Sequence, residues 1–380
     1  MKAWVQAGKL AVDAMPQRLC RYDSPMRVLV LGGTLFIGPP VVRKLCVQGH
    51  AVTVFHRGQT EADLPSAVGH LHGDRQQLRD FAPDFRKLRP DVVLDMRPIT
   101  EEDARGVIQI FRGIARRVVA ISSQDVYRAY GRFHRLEAGP PDPFPLTEDA
   151  PLRQRLYPHR GETPRAPDDP RRWLDDYEKI LVERAVLAEP ELPGTVLRLP
   201  MVYGPGDPGH RLYKYLRRMD DRRPAILLDE GAAHWRGPRG YVENVAAAIA
   251  LALAEDRAAG RVYNVAEPDA FSEAEWVKEV GRVVGWNGEV VVAPPEWLPA
   301  GLAWPFDPTH HWPVDSTRIR TELGYAEPLP REEALRRTVA WERRHPPEEA
   351  QLAMHGPFDY AAEDAALAAL HGMPADAERT

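Results

Sequence analysis

The feature that most limits how this chain can fold is an alternation of short apolar runs with helical patterns between residues 27 and 121. The first run, at 27–31, is rich in branched residues and ends in two glycines, which is typical of a buried strand in a parallel sheet. Strands that alternate with helices in this way predict right-handed βαβ units. The sequence therefore predicts an α/β fold built on a doubly wound parallel sheet.

One segment, 139–172, interrupts the alternation because it is dense in proline, which removes the backbone donor that helices and sheets need. We predict a long loop there, which is either a functional loop over the site or a mobile one. The predicted strands are 27–31, 51–55, 70–72, 91–96, 117–121, 195–199, 261–264 and 289–292, and the predicted helices are 41–48, 76–88, 101–111, 173–188, 241–254, 273–284, 331–344 and 361–370.

The turn after the first strand reads Gly-Gly-Thr-Leu-Phe-Ile-Gly over residues 32–38 and leads into a predicted helix. The backbone N–H groups and the helix dipole at such a turn bind a pyrophosphate, and glycine lets the backbone approach it closely. A tight turn without a ligand is the alternative interpretation. The glycine turn follows the first strand of a βαβ series, which favours a dinucleotide site. That site is formed by Gly32, Gly33, Thr34, Leu35, Phe36, Ile37 and Gly38.

Composition excludes several classes of protein. With Lys+Arg 50 against Asp+Glu 55, the net charge of -5 gives no general attraction to nucleic acid or to an anionic membrane. The two cysteines, Cys20 and Cys46, provide neither a disulfide framework nor a thiolate-rich metal site. The longest apolar run, 245–254, is half the length needed to span a bilayer. We therefore expect a cytoplasmic protein without a membrane partner, and we interpret His310-His311 as a loop pair and not as metal ligands.

Several separated stretches match one protein family in the same order along the chain. They are the glycine turn, Gly73-Asp74-Arg75, the stretch Ile-Ser-Ser-Gln-Asp-Val-Tyr at 121–127, the loop 145–151, the stretch 197–207 with its Tyr-Gly-Pro-Gly-Asp, and later landmarks at 240–245, 263–265 and 315–325. Together they resemble the extended and atypical branch of the short-chain dehydrogenase/reductase superfamily, the NAD-dependent epimerase/dehydratase type. The resemblance covers residues 26–345.

The resemblance implies a Rossmann-like doubly wound sheet with a smaller C-terminal α/β substrate domain. Residues 1–25 are interpreted as an N-terminal extension, with Met26 as an equally good natural start. The expected division is 26–200 with 236–265 for the dinucleotide-binding domain, 201–235 with 266–345 for the substrate domain, and 346–380 for a C-terminal tail.

The resemblance also implies a nicotinamide dinucleotide as cofactor. No acid follows the second strand to hold a ribose 2′-hydroxyl, whereas Arg57 suits a 2′-phosphate, so NADP is favoured over NAD. A solvated arginine is the alternative interpretation. Leu35 stands where the family's spacing has its middle glycine, which changes how the backbone approaches the pyrophosphate. Beyond the glycine turn, the expected cofactor residues are His56, Arg57, Asp74, Arg75, Asp95, Met96, Lys179, Pro200 and Val202.

Members of the family use a tyrosine and a lysine one helical turn apart, with a nearby serine or threonine. Ser123 matches the serine, at the carboxyl end of a predicted central strand where ligands bind in such sheets. Its alternative role is to satisfy the strand end. Lys179 matches the lysine, but the tyrosine position holds Asp175, and Tyr177 lies roughly 160° from Lys179 around a regular helix.

Tyr177 can serve only if the helix starts late, at about Asp176, with Asp175 or Asp176 as its N-cap. We predict that Tyr177 then approaches Ser123 more closely than Asp175 does. The alternative is that Asp175, Lys179 and Glu183 form a ladder of charges on a solvated helix face.

The expected substrate is a small molecule, a nucleotide sugar by resemblance, held by Ser123, Tyr203, Arg211 and Arg239. Arginine suits the diphosphate of such a substrate. Family members often dimerise through sheet-face helices, which here include 173–188, so a homodimer is expected. Two functions remain open: an NAD(P)-dependent epimerase, dehydratase or reductase, or a dinucleotide-binding sensor, regulator or RNA-associated protein without redox turnover.

Overall fold

The computed structural model describes residues 25–60, 62–352, 355–356 and 358–372. The expected extension at 1–25 therefore lies outside the described residues, apart from Pro25. The strands are β1 (Arg27–Leu31), β2 (Ala51–His56), β3 (Gly69–His72), β4 (Val92–Asp95), β5 (Arg117–Ser123), β6 (Gly194–Leu199), β7 (Met201–Tyr203), β8 (Ala225–Asp229), β9 (Arg239–Tyr241), β10 (Val262–Asn264) and β11 (Glu289–Ala293).

The α-helices follow in chain order. They are α1 (Gly38–Val47), α2 (Ala82–Leu88), α3 (Glu101–Phe111), α4 (Arg128–Phe133), α5 (Lys179–Leu187), α6 (Tyr213–Asp220), α7 (Glu230–His234), α8 (Val242–Ala254), α9 (Glu273–Val284), α10 (Thr317–Leu323), α11 (Arg331–Arg344), α12 (Glu349–Leu352) and α13 (Tyr360–His371). Short 3₁₀ turns occur at Arg75–Phe81, Gln124–Val126, Arg172–Asp175, Asp256–Ala258 and Pro295–Trp297. No helix in this part of the chain is both long and apolar enough to cross a bilayer.

Seven of the strands form one parallel sheet in the order β10-β6-β5-β4-β1-β2-β3. The predicted doubly wound sheet is therefore confirmed. Helices α1 and α8 pack on one face of the sheet and α3 and α5 on the other, which gives two apolar layers. The strand order reverses between β1 and β4, and in open α/β sheets ligands bind at the carboxyl ends of the strands at such a point.

Two small parallel pairs, β7 with β9 and β8 with β11, complete the strand set of the described residues. The sequence pattern predicted β11 but not β7, β8 or β9. Strands β7 and β9 are three residues each, too short to show a period. Pro200 separates β7 from β6, so the chain leaves the main sheet there and pairs again outside it.

The predicted helix at 173–188 is wrong in its first turn. Residues 172–175 form a 3₁₀ turn, and α5 begins only at Lys179. Its N-cap is Glu178, whose side chain accepts a hydrogen bond of 2.8 Å from the Ile180 N–H. The expected caps, Asp175 and Asp176, are wrong, because the Asp175 carboxylate is bound by arginines instead.

Candidate functional site

The glycine turn between β1 and α1 is held in a shape that side chains would obstruct. Gly33 has φ +91, in the left-handed region, and a Cβ there would lie 2.8 Å from the Val30 side chain. A Cβ on Gly38 would lie 2.4 Å from the Gly33 backbone. The start of α1 is thus packed directly on the turn, as a phosphate-binding turn requires.

A groove of about 1270 Å³ runs from this turn across the ends of β2 and β3. Most of the predicted cofactor residues line it. They are Gly32, Gly33, Thr34, Leu35, Phe36, Ile37, His56, Arg57, Asp74, Arg75 and Met96, while Gly38, Asp95, Lys179, Pro200 and Val202 lie outside the lining. Residues of the 170–176 segment form the opposite wall through Pro170, Arg172, Trp173 and Asp176.

Leu35 lies on the wall of the groove with 67% of its surface exposed. Its side chain is therefore not part of the apolar core. The following residue, Phe36, has φ +41, an unusual conformation for a side chain of that size. The turn thus has an apolar side chain, Leu35, at the position of the family's middle glycine and a second one, Phe36, beside it.

Five arginines line the groove, and three of them, Arg57, Arg75 and Arg97, lie close enough to interact electrostatically. Arg75 donates two hydrogen bonds of 2.6 Å to Asp95 and a third, of 3.0 Å, to Asp103. Asp95 and Arg75, both predicted to bind cofactor, thus bind each other. Arg57 is exposed on the wall of the groove.

The third arginine, Arg97, was missed by the sequence argument. Its guanidinium lies 4.8 Å from the centre of the Trp173 ring. Burial lowers the pKa of Arg97, the charges of Arg57 and Arg75 lower it further, and Asp103 opposes them. An anion bound nearby would raise this pKa. The signal of Arg97 in the sequence was its position two residues after β4.

The Tyr177 hydroxyl lies at the carboxyl end of β5. It donates a hydrogen bond of 2.7 Å to Asp125 Oδ2, and the Ser123 hydroxyl lies close enough to lower its pKa. Burial raises the pKa of Tyr177 well above its usual value, and the charge of Asp125 raises it further. The tyrosine therefore keeps its proton at neutral pH.

Lys179 is buried beneath this cluster. Its Nζ donates hydrogen bonds of 2.6 Å to the carbonyl of Pro98 and 2.9 Å to the carbonyl of Ile121. Burial lowers the pKa of Lys179 to about 8. The Nζ atom lies 5.6 Å from the centre of the Tyr177 ring, so the two side chains are neighbours in space despite their sequence spacing.

Asp175 points elsewhere. Its carboxylate accepts hydrogen bonds from the side chains of Arg165 and Arg172 and from the backbone of Arg165 at 2.8 Å. The structure thus places Tyr177 and not Asp175 at Ser123. Neither Asp175 nor Glu183 forms a solvated ladder with Lys179, because all three side chains are buried.

Glu183 ties α5 to the sheet instead. It accepts hydrogen bonds of 2.5 Å from the Ser122 hydroxyl and 2.7 Å from the Arg198 guanidinium. Arg198 in turn donates to the hydroxyl of Tyr127 at 3.0 Å. This buried network holds the helix that carries Lys179 against β5 and β6.

Asp125, His159 and Tyr130 surround Tyr177 and were not singled out from the sequence. The His159 ring centre lies 5.1 Å from that of Tyr177. Burial lowers the pKa of His159, so this ring is mostly neutral at neutral pH. His159 comes from the proline-rich loop, which therefore covers the cluster. The position of Asp125 two residues after Ser123, in the 3₁₀ turn, was the available signal.

The predicted substrate residues are already bound within the chain. Arg211 hydrogen-bonds Asp207 at 2.5 Å, and Arg239 pairs with Glu273. Tyr203 is buried and donates a hydrogen bond of 2.8 Å to Glu267. A ligand that recruited either arginine would have to replace an internal carboxylate.

The chain is similar to several known proteins. The family model described as the NAD dependent epimerase/dehydratase family matches residues 154–266. The chain is 29% identical over 289 residues to a 2′-dehydrokanamycin reductase of Streptomyces kanamyceticus, covering 73% of each protein. It is 28% identical over 292 residues to a 3-diazoavenalumate denitrifying reductase of a Streptomyces species, covering 73% of this chain and 86% of that protein.

Solved structures show the same fold at lower identity. A UDP-glucuronic acid 4-epimerase from Bacillus cereus, in complex with UDP-glucuronic acid and NAD, superposes with a TM-score of 0.60. The sequences are 17% identical, and the match covers 84% of this chain and 99% of that one.

Proposed function

We propose that this chain, whose residues 154–266 match the model of the NAD dependent epimerase/dehydratase family, is an NAD(P)-dependent oxidoreductase that reduces a carbonyl of a nucleotide-sugar-like substrate. The observation that carries the proposal is the hydroxyl pair of Tyr177 and Ser123 beside Asp125, at the carboxyl end of β5. A hydroxyl pair in that place suits a substrate oxygen that gains or loses a proton.

The residues of the groove fit a nicotinamide dinucleotide. Gly33 and Gly38 let the start of α1 pack directly on the turn, and the amides of the turn suit a pyrophosphate. Arg57 and Arg97 supply positive charge for a second phosphate group, which supports NADP as the preferred form. When bound, the cofactor supplies the hydride. Lys179 is proposed as the residue that holds its ribose, and Asp74, Met96, Pro200 and Val202 as further neighbours.

At neutral pH the chain's own residues offer a proton donor, as a reduction requires. The raised pKa of Tyr177 keeps the hydroxyl protonated, so that a proton is present for a developing alkoxide. Ser123 holds the same substrate oxygen. Before transfer, the Tyr177 hydroxyl turns from Asp125 to the substrate, and the carboxylate then faces a tyrosine that has lost its proton. That repulsion favours rapid reprotonation of Tyr177.

The substrate class is proposed from one solved structure and from two arginines. The epimerase neighbour binds UDP-glucuronic acid, whereas one relative is named as a 2′-dehydrokanamycin reductase. Arg211 and Arg239 are the side chains proposed for a diphosphate, although each must leave a carboxylate to reach it. A homodimer through α5 is retained as a proposal, and Leu187 on that helix is 39% exposed.

The test of the reaction compares Tyr177→Phe with Tyr360→Phe, a tyrosine on α13 whose hydroxyl bonds Asp221 away from β5. Oxidation of NADPH and NADH is followed with a panel of keto-sugars, with and without a nucleotide. We expect Tyr177→Phe to lower kcat roughly 10²–10⁴-fold, the size of a general acid contribution, and to leave cofactor affinity unchanged. Tyr360→Phe should retain full turnover. Equal turnover in the wild-type chain and Tyr177→Phe would refute the assigned acid.

Binding is tested separately by thermal shift with each dinucleotide and each sugar nucleotide. Dinucleotide protection with no turnover on any carbonyl would instead favour the sensor or regulator described from the sequence. Arg57→Ala tests the cofactor choice. We expect it to weaken NADP binding by about 1.5–3 kcal/mol, the range for a hydrogen bond to a charged group, and to leave NAD binding unchanged. Unaltered NADP affinity would show that Arg57 does not contact the phosphate.

A further inference from the structure

Three histidines meet at the edge of the sheet beside the groove. His56 ends β2, and His70 and His72 lie on β3, the last strand of the sheet. One ring nitrogen from each histidine can be chosen so that all three lie within 4.8 Å of one another. The three are separated by up to 16 positions in sequence and come together only through strand pairing.

The register of the sheet explains why the rings share one face. His56 is paired directly with His72, and His70 is paired with Val54, two residues before His56. Side chains two apart on a strand point to the same side, so all three histidines project from one surface. The rings of His56 and His72 are nearly perpendicular, with centres 4.7 Å apart.

From this arrangement we infer that His56, His70 and His72 form a binding site for a divalent transition-metal cation of the zinc type. Three imidazoles without a carboxylate or thiolate are a donor set suited to zinc, copper or nickel. His56 Nε2 and His70 Nδ1 lie 3.0 Å apart. That separation is close to the ~3.3 Å between two ligands of a tetrahedral zinc with bonds of about 2.0–2.1 Å.

One of the three histidines is buried in the protein, and the other two are exposed to solvent. His56 is buried, whereas His70 and His72 are exposed, so a cation reaches the ligands from solvent and a water or anion completes the coordination. The inferred site extends the proposed function and does not depend on it, because none of its ligands takes part in the proposed chemistry at Tyr177.

Metal binding requires one local rearrangement. The Gly58 N–H donates to His56 Nδ1 at 3.2 Å, so a neutral His56 carries its proton on Nε2 and donates it to His70. Ligation through Nε2 moves that proton to Nδ1, and the Gly58 amide must then turn away. Gly58 lies in a bend with φ +72, where the chain is free of regular hydrogen bonding.

The bound cation would hold strand β3 against strand β2. Strand β3 has four residues and, among the residues that the structure describes, pairs with β2 alone, so it is held by few hydrogen bonds. A cation shared by His56 of β2 and the two histidines of β3 joins the edge strand to its neighbour. Because it binds the folded chain and not the unfolded one, it raises the melting temperature.

The experiment uses the full chain without a polyhistidine tag and without dinucleotide. Zinc chloride is titrated by calorimetry into the wild-type chain, into His70→Gln/His72→Gln, and into His345→Gln. The paired variant changes only exposed side chains, so it should fold. The control residue, His345, is an exposed histidine far from the other three in sequence, at the end of α11. We expect saturable binding of one zinc per chain by the wild type and by His345→Gln, and none by the paired variant.

Two further readouts report on the site itself. Cobalt(II) added in place of zinc should give the visible absorption of a tetrahedral centre in the wild-type chain only. Zinc should raise the melting temperature and slow amide exchange at 69–72 in the wild type but not in the paired variant. Absent or non-saturable binding, or equal binding by the paired variant, would overturn the inference. It would leave the turnover test at Tyr177 unaffected, since that test uses no metal.

Discussion

The glycine turn and the cluster around Tyr177 are built in different ways. At the glycine turn the backbone forms the site, and seven consecutive residues, 32–38, determine the conformation of the turn. At Tyr177 and Lys179 side chains make the site, and their meeting depends on where α5 begins. That start is set by residues far away in the chain. A site made of backbone is therefore encoded locally, whereas a site made of side chains depends on tertiary contacts.

Glu178 shows how the tertiary contacts act. Its carboxylate accepts hydrogen bonds from the backbone of Tyr157 at 2.6 Å and of Ile180 at 2.8 Å, and it pairs with the buried Arg153 at 3.2 Å. These bonds hold Glu178 in an extended conformation, with φ −155. The helix α5 therefore starts at the next residue, Lys179. Tyr177 then lies outside the helix, and the angular separation expected on a regular helix does not apply to it.

The strongest test of the site that side chains form, at Tyr177 and Lys179, is Glu178→Ala. It leaves the Arg153 charge buried without its carboxylate, which should cost about 3–5 kcal/mol of unfolding free energy in urea titrations. The start of α5 should move, and kcat should fall with it. Glu178→Gln keeps the oxygen that caps the helix and should lose less. A loss below about 1 kcal/mol for Glu178→Ala would contradict this account of the helix start.

The matching test of the site that the backbone forms, at the glycine turn, is Gly38→Ala. The new methyl would lie 2.4 Å from the Gly33 backbone, and no rotation of a side chain can relieve that clash. We expect a loss of stability of about 1–3 kcal/mol and weaker dinucleotide binding. Gly106→Ala is the control, because a Cβ there meets nothing within 4 Å and the residue lies within α3. It should stabilise the chain slightly, by about 0.5–1 kcal/mol. Similar melting temperatures for both variants would show that the turn tolerates a side chain.

Lys179 provides a pH test of burial at the site that side chains form. Its pKa is lowered from 10.5 to about 8 in the folded chain, so between these values the unfolded chain binds more protons. Stability should therefore rise with pH, by ~2 kcal/mol between pH 8 and 9.5, relative to Lys179→Met. Below pH 8 the two chains should change in parallel. Identical pH slopes for both chains across the whole range would show that Lys179 is not desolvated.

The smallest effect is expected at Leu35. Since this side chain is 67% exposed on the groove wall, Leu35→Gly should alter stability by no more than about 1 kcal/mol, mainly through the entropy of the unfolded chain. Cofactor affinity should rise if the side chain crowds the pyrophosphate. Differential scanning calorimetry and dinucleotide titration separate the two effects. A large fall in melting temperature would mean that Leu35 is packed into the protein after all.

Sequence reasoning recovered the sheet because each strand is a local apolar run and each crossover a local helical pattern. The bounds of α9 and α11 were predicted without error, and in α9 a Ser272–Glu275 capping box marks the start. Short strands such as β7 and β9 were missed, since three residues carry no period. The pairing of His56 with His72 was likewise invisible, because register is decided between strands and not within one.

The candidate site divides in the same way. The late start of α5 was predicted correctly in principle, but the cap was assigned to Asp175 or Asp176 and is Glu178. A capping preference is local, whereas the choice among three neighbouring acids was made by Arg165 and Arg172, which take Asp175, and by Arg153, which takes Glu178. Asp125 and Arg97 were missed for a related reason: a single charged residue after a strand acquires meaning only from what the fold places beside it.

The segment 170–176 forms one wall of the groove and runs without a break into Tyr177. Under the proposed function, any movement of this wall that admits a dinucleotide is transmitted along the backbone to Tyr177. We therefore expect cofactor binding to change the position of the proposed proton donor.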